Sequence, residues 1–262
     1  MATPQTGAGD PKRSMELLWR DFEPQPSRPG PKPKLTVGQI VQAAIRVADR
    51  EGSCFNMRSV AAELGVGTMT LYRYIPGKAE LIDLMVDSAG ETDEDTTETE
   101  ALDWRTILEK LADHSLEFYR QHPWMLEINQ RRPILGPGGL GGIDFALAAF
   151  DDHDVTDKEA ILIVNSVWNI VTGTALAYLT GDTPAELGGP MTTEEEWWAM
   201  QEPYLVRAVE SGRFPRLARI EDHTVWDTPA HEAMRHLLDA YLDGIAPRME
   251  ATRRPAAETA ED

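Results

Sequence analysis

The chain has 262 residues, 42% of them hydrophobic, which is enough for one compact two-part core or two modest ones and excludes a chain disordered throughout. Its one cysteine, Cys54, excludes an internal disulfide framework and any multi-cysteine metal site; with no stretch of about 18 uncharged apolar residues and no apolar run at the N-terminus, a soluble cytoplasmic protein without a membrane partner is expected. The net charge of −19 argues against nucleic acid only until its distribution is read, because residues 1–90 carry 11 Lys and Arg against 10 Asp and Glu and residues 28–78 carry 8 against 3.

Residues 1–33 mix Pro, Gly and basic side chains, and the run Arg28-Pro29-Gly30-Pro31-Lys32-Pro33-Lys34 can form neither a regular helix nor a central strand. They read as a basic, disordered arm, with at most a helical turn near Met15 to Trp19. From Thr36 the periodicity is helical and no alternating strand segment follows, so the expected fold class is all-α. A first helix runs from a Thr36 cap to about Glu51, where Gly52 stops it. Short helices follow at about Met57 to Leu64 and Thr68 to Tyr74, with Gly65 between them. Pro76-Gly77 then leads into a fourth helix at Lys78 to Ser88. These elements, residues 34–88, form a helix-turn-helix unit.

Residues 89–102 read as an acidic linker, since the segment ETDEDTTETE at 91–100 has six acids and no apolar side chain. Beyond it, helices are expected at about 103–121, 123–131, 140–152, 156–180, 193–211 and 228–246 in one unit spanning 103–250. Residues 251–262 read as a disordered tail.

The segment Arg58 to Tyr74 is the informative one. Two helices crossing steeply over a three-residue turn need a small residue where they meet, which Ala61 supplies, and Gly65 permits a left-handed turn. Val60, Leu64, Val66 and Leu71 point inward. Thr68, Met69, Thr70, Tyr72 and Arg73 are left on the open face, where threonines can meet base edges or phosphates, Met69 a thymine methyl, and Arg73 guanine or phosphate. Tyr74 offers a hydroxyl to the backbone, Lys78 and the following helix start form an anion site, and Arg58 is placed for the same phosphates. An isolated Ala-x-x-x-Gly pattern is shared with ordinary helical hairpins; local positive charge, exposed tyrosines and a helix-start lysine separate this one from them.

At these residues the sequence resembles the TetR family of transcriptional regulators. Val60 to Lys78 looks like that family's DNA-binding core and Ile40 to Glu51 like its first helix. Asp103-Trp104, His122-Pro123-Trp124 and a long helix containing Gly173 are similar to a tetracycline-repressor-like C-terminal domain. The resemblance implies a ligand-responsive regulator, acting as a repressor in the sense usual for the family, that binds a palindromic double-stranded DNA operator. It also implies a homodimer paired through the helices at 156–180 and 228–246, released by a small, largely hydrophobic effector. The reading helices of such a dimer sit about one DNA turn, about 34–36 Å, apart.

Polar groups on otherwise apolar helices mark the expected effector site: Ser115 near Leu111 and Phe118, Asn165 near Trp168, and Trp124 at a helix break. His114 and Asn169 lie beside them. Each of these residue types also occurs as an ordinary core or surface group. The six histidines are scattered, and His231 and His236 are five apart, so they lie on different helix faces. Gly136 to Gly142 lacks the Lys-Ser/Thr partner of a phosphate loop, and Cys54 has no base to activate it and is expected to pack on the first helix. No catalytic site, cofactor or metal is expected. The alternative to a regulator is a small-molecule-binding or interaction protein that keeps the helical scaffold without holding DNA.

Overall fold

The computed structural model describes residues 3–20, 22, 35–89, 102–179, 194–220 and 228–254, and among them the fold is all-α. The α-helices are α1 Pro11–Leu18, α2 Val37–Glu51, α3 Met57–Glu63, α4 Thr68–Leu71, α5 Lys78–Ala89, α6 Trp104–Gln121, α7 Pro137–Leu147, α8 Asp157–Tyr178, α9 Glu194–Glu210 and α10 Ala230–Thr252. Short 3-10 turns at Gly52–Cys54, Pro123–Glu127, Ala148–Phe150 and Leu217–Arg219 connect them. Most of the acidic linker, the loop at 181–190 and residues 255–262 of the tail lie outside the described residues.

Local chemistry sets the boundaries. Thr36 and Gln39 close a capping box at the start of α2, and Gly52, with φ +69°, ends it. The helix expected at 123–131 is instead a five-residue 3-10 turn, and α7 begins at Pro137, a residue pre-set for the first helical position. The last helix continues through Pro247 to Thr252, past the expected end near 246, and the backbone carbonyl of Thr252 accepts from Asp154 N.

Two apolar cores result. The first joins Ile40, Val47, Val60, Leu71, Ile75, Leu81 and Met85 of the N-terminal helices with Leu17 and Leu18 of α1 and with Trp124, Met125 and Ile128. The second stacks α6, α8 and α10 through Leu108, Leu111, Val164, Val167, Val171, Met234, Leu238 and Leu242. Contrary to the sequence reading, α8 is long and apolar enough, by length and composition, to cross a bilayer. Here one side of it is buried in the second core, and Leu162, Leu176 and Tyr178 are exposed on the other.

The arm departs most from expectation. Instead of a disordered leader it holds a true helix, α1, whose N-cap Asp10 accepts from Lys12 N and Arg13 N. Leu17 and Leu18 are buried, and α1 packs on α5. Two leucines on one helical face were enough to seat it, although Pro, Gly and charge dominate the segment around them.

Candidate nucleic-acid interface and effector pocket

Asn56 starts α3 by accepting from Arg58 N (2.9 Å) and Ser59 N (3.1 Å), while Ser59 Oγ accepts from Asn56 N. Gly65 ends it with φ +65° and no atom near where a Cβ would stand, so the requirement there is backbone conformation and not space. Ala61, buried as expected, accepts at its carbonyl from Val66 N (2.9 Å) across the turn. The following helix is only four residues long, shorter than the stretch expected to Tyr74, and a helix that short cannot sustain itself. Leu71 and Ile75, both fully buried, pin it from behind.

What the pinning leaves outward is the expected face. Met69 is 76% and Tyr72 43% exposed, Arg73 and Arg58 are exposed, and Thr68 and Thr70 are half-buried. Tyr74 is half-buried and rests on the first core. Arg46 and Arg50 of α2 both hold Glu63 at the end of α3, at 3.2 and 2.8 Å. Their hydrogen bonds keep that carboxyl below its usual range and tie the supporting helix to α2.

Lys78 is placed differently from the expected open anion site. Its ammonium donates to the carbonyls of Ser53 (2.8 Å) and Phe55 (2.6 Å) and lies 4.3 Å over the Phe55 ring. Burial pushes its pKa down. Two of its three donors are spent on holding the α2–α3 connection, which leaves one for anything else. Cys54 in that connection is exposed, and Phe55 does the packing expected of it.

Between α5, α6, α7 and α8 lies a pocket of about 400 Å³. Of the residues expected in an effector site, Leu111, Ser115, Phe118, Asn165 and Trp168 line it, together with His114. Aromatic wall comes also from Tyr119 and Phe145, and Tyr119 Oη lies 3.2 Å from Thr172 Oγ1. Lys110, His114 and Asn165 are solvent-exposed and mark its open side.

Trp124 is not in this wall. It is buried in the first core, and its Nε1 donates to Asp49 Oδ1 (2.8 Å), an atom that His122 Nδ1 also approaches to 2.7 Å. The helix break that drew attention to Trp124 is real, but the indole turns toward α2. Glu127, three residues on, accepts from the amide and hydroxyl of Ser53, so this turn fastens the C-terminal half onto the N-terminal core.

Sequence reasoning missed Thr6, Val86, Asp87, Gln130, Arg132, Pro133, Ile134 and three glycines of α7, Gly138, Gly139 and Gly142, as lining residues. Asp87 was the legible one, since it is an acid at the end of an otherwise apolar helical run. Burial pushes its pKa up, while the amides of Gly139 (3.0 Å) and Gly138 at the start of α7 draw it back down. A Cβ at Gly136 would collide with the same carboxylate, which accounts for a glycine there.

The description "Tetracyclin repressor-like, C-terminal domain" matches residues 96–249. Among curated proteins, the chain is 40% identical over 245 residues to the HTH-type transcriptional repressor DrrR1 of Streptomyces coeruleorubidus, covering 93% of this chain and 88% of that one. It is 27% identical over 186 residues to an HTH-type transcriptional regulator of Saccharopolyspora erythraea, covering 70% and 77%. Among solved structures, the TetR family protein ActR of Streptomyces coelicolor in complex with actinorhodin superposes with a TM-score of 0.63 at 19% identity, over 82% of this chain and 97% of that one. At that identity the likeness speaks for the fold alone.

Proposed function

Because the chain belongs to the TetR family of transcriptional regulators, we propose that it is a ligand-responsive repressor that holds a palindromic operator as a homodimer and is released by a small, largely hydrophobic effector. The observation that carries this reading is the outward face at α4: Met69, Tyr72 and Arg73 stand open, Thr68 and Thr70 are half-exposed beside them, and Leu71 behind them is fully buried. Arg58 and Tyr74 flank that face, and Lys78 contributes its remaining donor. Threonine, methionine and arginine suit base edges, and the tyrosine hydroxyls suit phosphates.

The effector reading rests on the aromatic pocket, with Leu111, Ser115, Phe118, Asn165 and Trp168 as contacts. The dimer reading rests on α8 and α10, which pack side by side and together expose Leu162, Leu176 and Leu237. Gly173 and Gly244 lie on their exposed faces with nothing near their Cβ positions, which suits the close approach of a second copy's helices. An effector in the pocket touches Val86 and Asp87 of α5 and so can shift the helix that follows the reading motif.

The test is retention of a duplex from the chain's own upstream region at low salt. Retention that weakens steeply as salt rises is the expected outcome. A dimer that binds hydrophobic compounds and no duplex would mean a small-molecule-binding protein on this scaffold.

A further inference from the structure

We infer that residues 4–19 are a working part of the effector switch: Thr6 walls the pocket, and the segment around it fastens that wall to α5. The inference rests on the ligand-responsive reading above and adds an element to it. Thr6 is buried, lines the pocket, and donates from Oγ1 to Arg132 O (2.6 Å) and from its amide to Asn129 O (3.1 Å). Asn129 N donates in turn to Pro4 O (2.9 Å), and Arg132 Nη1 to Gly7 O (2.8 Å). The chain start is thus zipped onto the connection between α6 and α7, whose Gln130, Arg132, Pro133 and Ile134 also line the pocket.

Immediately after this zipper the segment turns onto α5. Gly7 N donates to Asp83 Oδ1 (2.8 Å), Asp10 N to Glu80 Oε1 (3.0 Å), and Ser14 Oγ to Asp83 Oδ2 (2.7 Å). Glu80 and Asp83 are buried acids with no ion-pair partner among the described residues, so these amides and this hydroxyl are what compensates their burial. The seat is shaped for the purpose. Gly7 has φ +64° with Arg132 Cδ 3.1 Å from its Cβ position, and a Cβ on Gly9 would collide with the Glu80 carboxylate.

A displacement of the α6–α7 connection by an occupant of the pocket therefore reaches α5 through two routes. One is Asp87, which meets α7 directly, and the other is the brace formed by residues 4–14. Two buried carboxylates give the second route a preferred position, since any shift of the brace leaves them unsatisfied.

The test uses the full chain, a labelled duplex from its upstream region, and 8-anilinonaphthalene-1-sulfonate as the pocket probe, with loss of dye signal in Trp168→Ala locating it. Gly9→Val, which wedges the brace off Glu80, is expected to keep duplex affinity within about threefold while cutting the dye's effect on it from about tenfold to about twofold. In the unaltered chain, dye binding should change hydrogen exchange at the Gly7 and Asp10 amides. If Gly9→Val fails to fold, Ser14→Ala gives the same comparison with a smaller loss of coupling. Normal dye response in both variants, with Gly7 and Asp10 exchange unmoved by dye, overturns the inference. Should the unaltered chain bind dye but no duplex, the repressor reading falls, and the exchange at Gly7 and Asp10 still decides whether the brace senses the pocket.

Discussion

The reading face and the pocket are built on opposite plans. The face comes from 17 consecutive residues, Arg58 to Tyr74, on elements too short to stand alone, held from behind by Val60, Leu71 and Ile75 and open in front. The pocket draws on positions as far apart as Thr6 and Thr172, from four helices, a connection and the chain start. A surface assembled locally can be altered one side chain at a time, whereas an enclosure assembled from the whole chain ties its occupant to everything that shares its walls.

That contrast breaks most sharply at Trp124, which sequence placed in the pocket and the structure places in the first core. Trp124→Ala should cost about 3–5 kcal/mol of stability, read by chemical denaturation, because a large buried indole and its bond to Asp49 are lost together. A loss of effector binding with stability intact would instead return Trp124 to the pocket. On the reading face, Arg73→Ala should weaken duplex binding by about 1–3 kcal/mol with little change in melting temperature, seen by anisotropy against matched and scrambled duplexes. In the pocket, Trp168→Ala should lower effector affinity by roughly tenfold and leave duplex binding unchanged without effector. Lys78→Ala should affect both stability and duplex binding by about 1 kcal/mol each, since the ammonium holds two backbone carbonyls and keeps one further donor.

The smallest effect expected is one of pH. His153 is buried, and that desolvation pushes its pKa below 6.5. As pH falls through 6.5 the unfolded chain takes up a proton that the folded chain resists, so stability should decline until the folded pKa is passed. Denaturation midpoints of the unaltered chain and of His153→Gln should accordingly converge as pH drops from about 7 to about 5. Parallel midpoints would mean that the imidazole protonates freely in the fold.

The same contrast explains what could be read from residues alone. The cap at Thr36, the left-handed Gly65 and the outward Met69 and Tyr72 follow from neighbours within a few positions, and sequence located each of them; the Gln39 half of the capping box it did not. The pocket was half legible: Leu111, Ser115, Phe118, Asn165 and Trp168 were found because a polar group among apolar ones is visible on a helical wheel. Thr6 and Arg132 were not, since nothing local indicates that residues over a hundred positions apart will meet. The length of α4 and the tie of Lys78 to Phe55 were missed for a related reason: both are settled by packing against α2 and its 3-10 turn. The arm misled because composition averages over a segment, while two buried leucines and a cap at Asp10 decide the structure of residues 10–18.

The central claim is that the open side of α4 reads duplex DNA. It is tested most directly by titrating the full chain and Arg73→Ala against a labelled palindromic duplex from the upstream region at several salt concentrations. The expected result is binding whose logarithm falls linearly with that of salt and which the substitution weakens more for the matched duplex than for a scrambled one. Equal binding of both duplexes by both proteins, or no binding at low salt, would contradict it.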